Sequence, residues 1–242
     1  MCFHLSNTKS KEEIKERFDV WEEAIDVYTP YYHRNGFEKD FIYIIKDVDP
    51  YNFTPAYWGM LPDNYEIWQR ADFLKKTNTL NARAEGLFDS PLFKKPLEYN
   101  RCLIIADGFF EPHSFNGNNY PHFIRYKDYS LMGIAGIYTE LDDGLYTVSL
   151  ITTRANDYFS RIHNKKNKHG EYRMPLILDE SDEIDWLDPD IPLQQAMELL
   201  FTFTNKEFID YTVSKDVMNS RVQSNRPDIL KQVQYEELNT LF

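Results

Sequence analysis

Cys102-Leu103-Ile104-Ile105-Ala106-Asp107-Gly108-Phe109-Phe110-Glu111 is an apolar run broken once by a turn-forming Asp-Gly and closed by a carboxylate. Its first half, Cys102–Ala106, reads as a strand, because apolar and β-branched side chains suit a pleated, buried surface. Comparable runs with turn-rich flanks are Phe41–Ile45, His122–Tyr126, Leu131–Tyr138, Tyr146–Thr152, Pro175–Leu178 and Asp210–Ser214. Helical spacing is clearest toward the two ends of the chain. Ser10 and Glu13 have capping-box spacing, and Ile14, Phe18 and Trp21 follow at helical intervals. Near 191–202, Asp190 is the expected cap, Pro192 falls in the first turn, and Leu193, Met197 and Leu200 form a stripe. Consecutive strands with helices at both ends predict an α+β fold: one domain over 1–242, with a curved, mostly antiparallel, barrel-like sheet and peripheral helices.

Composition narrows the function. A chain of 242 residues buries a real core. A net charge of −12 argues against a general nucleic-acid binder, so any DNA site must be a local basic groove on an acidic body. Two such segments exist: Arg70–Arg101, and Arg154–Arg173 through Arg161, Lys165, Lys166 and Lys168. Only two cysteines, Cys2 and Cys102, exclude a disulfide framework and suit a reducing, cytoplasmic setting. Cys102, inside its apolar run, reads as a buried small hydrophobe. No secretory signal or membrane-length apolar run is visible, and neither a cofactor nor a metal is expected.

The most informative position is Cys2, directly behind Met1. Once Met1 is removed, Cys2 carries an α-amine and a thiol on adjacent carbons, which no internal residue can do. Such a pair condenses with an aldehyde, first to an imine and then to a thiazolidine. In an unstructured peptide the amine titrates at about 7.7–8.0 and the thiol at about 8.5, so a substantial fraction of the amine is nucleophilic near neutrality.

Four further segments accompany it: Asn81-Ala82-Arg83-Ala84-Glu85; Ala106-Asp107-Gly108-Phe109-Phe110-Glu111; Thr152-Thr153-Arg154-Ala155-Asn156 leading to Ile162-His163; and Arg173-Met174-Pro175. With Met1-Cys2 and Trp58-Gly59-Met60-Leu61-Pro62, these resemble the SRAP family, the SOS response-associated peptidases that handle abasic sites in single-stranded DNA. The resemblance runs from residue 2 to about residue 230, in the family's order. It implies that Cys2 forms a covalent crosslink to the opened sugar of an abasic site after autocatalytic loss of Met1, with crosslink reversal and strand scission as further activities. Single-stranded DNA containing abasic sites is then the partner, and the protein is expected to be monomeric and DNA-associated, with no membrane partner.

The resemblance also assigns residues. Asn81 orients Cys2 or the opened sugar. Glu111, among Phe109, Phe110 and Pro112, is the acid/base, with burial expected to raise its pKa. His163 moves protons near the ring oxygen or imine; His169, in the extra segment Asn164–Tyr172, is its rival. Arg83 offers a bidentate fork for a phosphate, or else a structural ion pair with Glu85. Trp58 stacks on a base or belongs to the core. Lys94, Lys95 and Arg173 complete the expected DNA contacts. Phe3-His4 replace the family's usual Gly-Arg, and Pro112 stands where a tryptophan usually follows. Two other readings stay open: a class II glutamine amidotransferase-like hydrolase, for which Phe3 is wrong, and a non-catalytic single-strand binder. His163, His169 and Glu171 are metal-ligating residue types close in sequence, but lysines crowd that stretch and no cysteine lies near it.

Overall fold

The computed structural model describes residues 2–21, 25–38 and 40–241. In chain order its elements are β1 (His4–Asn7), α1 (Lys11–Phe18), β2 (Tyr31–Asn35), β3 (Phe41–Lys46), β4 (Asp49–Trp58), α2 (Arg70–Lys76), β5 (Asn81–Arg83), α3 (Lys94–Tyr99), β6 (Arg101–Ala106), β7 (Gly108–Phe115), β8 (Asn118–Tyr126), β9 (Met132–Glu140), β10 (Tyr146–Arg154), α4 (Asp157–Ile162), β11 (Arg173–Pro175), α5 (Glu180–Leu187), α6 (Leu193–Leu199) and β12 (Phe208–Thr212). None of the described helices is long and apolar enough to cross a membrane.

Two sheets organise these strands. One is antiparallel, in the order β12-β8-β7-β1-β2. The other runs β11-β10-β4-β3-β6-β9, and β9 pairs back onto β10. That last pairing closes β10, β4, β3, β6 and β9 into a ring, so the barrel-like expectation holds. Antiparallel pairing dominates; only β10 with β4 and with β5 is parallel. The core joins ring residues such as Ile44, Ile104, Ile137 and Leu150 to Ile14 of α1, Trp186 of α5 and Ala196 of α6. A smaller apolar cluster of Phe110, Phe123, Val213, Val217 and Ile229 packs on the first sheet.

The stretch Cys102–Glu111 crosses from one sheet to the other. β6 belongs to the ring, β7 to the open sheet, and Asp107 is the single residue between them. β1 docks at this junction. Leu5 and Ser6 pair with Phe109 and Gly108 of β7, the Asp107 amide donates to the Ser6 carbonyl at 3.0 Å, and the Asn7 side chain donates to the Ile105 carbonyl at 3.2 Å. The Asp107 carboxylate accepts from the Ser6 hydroxyl, the Thr8 hydroxyl and, at 2.9 Å, the Thr8 amide.

Several sequence expectations need correction. α1 has the expected Ser10–Glu13 capping box, but Asp19 turns left-handed (φ 53°) and ends it, leaving Trp21 exposed and stacked on Tyr51. α6 is capped by Pro192, not Asp190, whose amide instead closes a turn onto Asp188 at 2.9 Å. Pro175–Leu178 is not a strand; β11 lies earlier, over Arg173–Pro175, and Ile177 makes only an isolated bridge to Ile134. β1, β2, β4, β5 and β7 were not legible. β4 contains Pro50 and Pro55, which argue against a strand until tertiary context is known. Its pairing with β10 begins at Ala56, beyond both prolines, so neither ring interrupts that ladder.

Gly108 has a steric reason. A Cβ there would run into the Phe123 ring and press on the Ile124 carbonyl. Gly108→Ala should destabilise the protein by about 1–3 kcal/mol, as overpacking does. An unchanged urea midpoint would show that Phe123 can move aside.

Candidate active site

The site is built where β1 meets β7. β1 is a central strand, between β7 and β2, so the residues at the start of the chain are held inside the fold. Cys2 is fully buried, and burial, reinforced by the negative charge of Glu111, pushes its thiol pKa well up. The resting thiol is therefore protonated. From the other sheet, β5 presents Asn81, whose side-chain amide donates to the Cys2 carbonyl at 2.8 Å. β5 itself is placed by parallel pairing with β10, Leu150 opposite Asn81.

Glu111 projects from β7 and is buried. His163 closes α4, whose start is capped by the Asn156 side chain accepting from the Phe159 amide at 3.1 Å. Its Nδ1 lies 2.5 Å from Glu111 Oε2. Burial does push the Glu111 carboxyl up, as expected, but neighbouring positive charge, His163 included, more than offsets it. Glu111 is thus held below the ordinary carboxylate range, which corrects the expectation of a raised pKa. Cys2, Asn81, Glu111 and His163, spread over 162 positions of sequence, are thereby brought into one neighbourhood.

A pocket of about 270 Å³ opens beside Glu111 and His163, walled also by Phe3, His4, Phe110, Lys165, Lys166 and Arg173; Cys2 and Asn81 lie behind this wall and do not line it. The expected rim is rearranged. Trp58 is buried with its indole N–H on the Leu80 carbonyl at 2.8 Å, so it has no face for a base; it is a core residue. Lys94 sits over the Phe88 ring and Lys95 pairs with Asp63 at 3.1 Å; neither lines this pocket, and Lys165 and Lys166 do. Arg173 is buried, bonded to Glu85 at 2.7 Å and to the Thr152 carbonyl at 2.6 Å. Its guanidinium is committed to holding β11, β10 and Glu85 together, so a direct phosphate contact is not its main work. Arg83 pairs with Glu171 at 2.9 Å, more closely than with Glu85 at 3.9 Å. Among the described residues no group of three His, Cys, Asp or Glu side chains is placed to hold a metal ion, the His163, His169 and Glu171 trio included.

Sequence reading missed one polar chain. His4, on the pocket wall, shares a 2.9 Å hydrogen bond between its Nδ1 and Nε2 of His33, and His33 Nδ1 lies 2.6 Å from the Ser224 hydroxyl. Removal from water lowers the His4 pKa to about 4 against the opposing pull of Glu111, and burial with the nearby His4 and Arg34 lowers His33 to about 3. Both rings are neutral near pH 7, which lets one donate to the other. The available signal was the replacement at position 4; His33 and Ser224 carried none.

A family model described as SOS response associated peptidase (SRAP) matches residues 1–220. Abasic site processing protein YoqW of Bacillus subtilis (strain 168) is 28% identical over 238 residues, spanning 96% of this chain and 99% of that protein. Abasic site processing protein HMCES of Pongo abelii is 28% identical over 262 residues, spanning 90% of this chain and 69% of that one. A crystal structure of a protein from Bacteroides thetaiotaomicron superposes with a TM-score of 0.83 at 28% identity, over 96% of this chain and 100% of that one.

The two depressed histidines set a pH dependence. In the unfolded chain they titrate near 6.5, and in the folded chain near 4 and 3. Between these values the unfolded state binds more protons, so stability falls as pH drops below 6.5. His33→Gln should flatten that fall. Identical melting-temperature profiles for wild type and variant between about pH 7 and pH 4 would refute the assignment.

Proposed function

The chain belongs to the SOS response-associated peptidase family, and on that premise we propose that it processes abasic sites in single-stranded DNA by covalent capture on Cys2. The observation that carries this reading is the convergence of Asn81 and Glu111 on Cys2 from two different sheets. Asn81 holds the Cys2 carbonyl, the thiol donates to the His4 carbonyl at 3.7 Å and the Glu111 charge acts on it, which supports a nucleophile held in place before substrate arrives.

The chemistry requires Cys2 to be the first residue. Met1 lies outside the described residues, and its removal is part of the proposal. The Cys2 amine adds to the ring-opened aldehyde, forming a carbinolamine. Loss of water gives an imine. The thiol then adds across the carbon–nitrogen double bond: a carbon–sulfur bond forms, and the thiol proton ends on the nitrogen. The balance is one water released for one thiazolidine formed.

Each step moves a proton, and the electrostatics support the following carriers. The Cys2 thiol is kept protonated, so ring closure needs a base close by. Glu111 is kept ionised, so it is the base. Once protonated it becomes the acid that expels water from the carbinolamine or reopens the ring in the reverse reaction. His163 holds the Glu111 carboxylate and takes or returns protons at the leaving oxygen. The same imine supports strand scission, and the same acid/base pair supports release of Met1. Arg83, together with the pocket-wall residues Lys165 and Lys166, supplies the positive field for the strand.

Cys2→Ala should abolish a heat-stable crosslink to an abasic oligonucleotide, and intact mass of the wild-type protein should show loss of Met1 and gain of the adduct. Glu111→Gln should slow crosslinking by about 100-fold or more, the usual contribution of a positioned acid/base. A crosslink that persists in Cys2→Ala sinks the reading.

A further inference from the structure

Residues 164–172 form the segment inserted between His163 and Arg173. It is folded on itself by Asn167, whose amide donates to the Glu171 carbonyl at 2.8 Å and whose side-chain oxygen accepts from the His169 and Glu171 amides at 2.8 and 3.0 Å. Gly170, at φ 80°, supplies the left-handed residue the turn needs. The turn delivers the Glu171 carboxylate into a group of three guanidiniums. One oxygen lies 2.9 Å from Arg83 and 3.7 Å from Arg173; the other lies 3.3 Å from Arg154.

The three arginines are not equivalent. Arg173 is buried and already engaged by Glu85 and the Thr152 carbonyl. Arg154 has a side chain 72% exposed, and Arg83 is one-third exposed. For both, Glu171 is nearer than Glu85, which stands 3.9 Å from each. Arg173 and Asn167 line the pocket described above, so the cluster borders it, and Lys165 and Lys166 line the same wall. Three guanidiniums face two carboxylates, a local charge of +1 that becomes +2 when Glu171 leaves.

We propose that Arg83 and Arg154 form a seat for one backbone phosphate of the DNA strand, and that Glu171 fills it as an internal anion until the strand displaces it. The proposal rests on the single-strand reading above. A phosphodiester, like a carboxylate, carries one negative charge over two oxygens, and both suit the same forked donors. The incumbent is displaceable, because its partners Arg83 and Arg154 are 32% and 72% exposed while Glu171 itself is 17% exposed, and ion pairs open to water on one side add little stability. It is carried by a surface turn, not by either sheet.

The test is fluorescence anisotropy with an undamaged single-stranded oligonucleotide over a series of salt concentrations. Glu171→Gln should bind several-fold tighter than wild type at low salt, because one repelling charge is gone and the seat is open. Arg154→Gln, which removes an exposed side chain, should weaken binding and flatten the slope of log K against log salt by about 0.7, the value for one phosphate on a single strand. The double variant should lose the gain of Glu171→Gln. Asp142→Asn, an exposed carboxylate in the β9–β10 turn, is the control for net charge alone. Glu171→Gln binding no tighter than Asp142→Asn overturns the proposal, as does an Arg154→Gln slope equal to wild type. Crosslinking of wild type to an abasic oligonucleotide, run in parallel, reports on the Cys2 reading separately.

Discussion

The clasp between Asp107 and the first strand is the constraint on which the site depends. A short strand at the start of a chain ordinarily frays, since little holds it. Here Asp107 receives the Ser6 and Thr8 hydroxyls and the Thr8 amide, and its own amide bonds the Ser6 carbonyl. Asp107 is also the single residue joining β6 of the ring to β7 of the open sheet. One carboxylate therefore fixes the first strand at the junction of both sheets. Cys2 and Glu111 become neighbours because β1 and β7 are locked together there, and Asn81 reaches Cys2 because the ring carries β5 alongside.

The electrostatics follow from that burial. A thiol and a carboxyl withdrawn from water would both be neutral if nothing else acted on them. The thiol conforms: burial and the adjacent Glu111 charge keep it protonated. The carboxyl does not, since neighbouring positive charge, of which His163 is only a part, holds it ionised despite its burial. A protonated thiol and an ionised carboxylate are thus held in opposite protonation states in one buried neighbourhood. His4 and His33 meet the same burial by discharging, and their neutrality lets them hydrogen bond ring to ring.

Departure from the family's pattern is concentrated at the rim of the pocket. Position 4 is a histidine tied to His33, the extra segment before Arg173 places Glu171 among arginines, and Lys165 and Lys166 take the wall. Asn81, Glu111 and His163 keep the pattern, while Phe3, His4 and the extra segment before Arg173 depart from it. A chain of net charge −12 can tolerate this only if its positive charge is local, and the Arg83, Arg154 and Lys165–Lys166 region is such a place.

Much of this was legible in the residues alone. The central apolar runs became β3, β6, β8, β9 and β10, because a strand buried over most of its length needs a high apolar and β-branched content, which shows in sequence. The α1 cap was legible for a related reason: its partners are three residues apart. Cys2, Asn81, Glu111 and His163 were identifiable as a set through the order of their motifs. What only the tertiary structure decided was everything that depends on partners distant in sequence. β1 and β7 are strands because each has the other, β4 is one despite its prolines, and Trp58 is core because Leu80 takes its indole N–H. The sign of the Glu111 shift, the engagement of Arg83 by Glu171 and the His4–His33 pair were likewise beyond reach. Local propensity is a property of neighbouring residues, whereas charge, burial and pairing at this site are set by groups that the fold alone brings together.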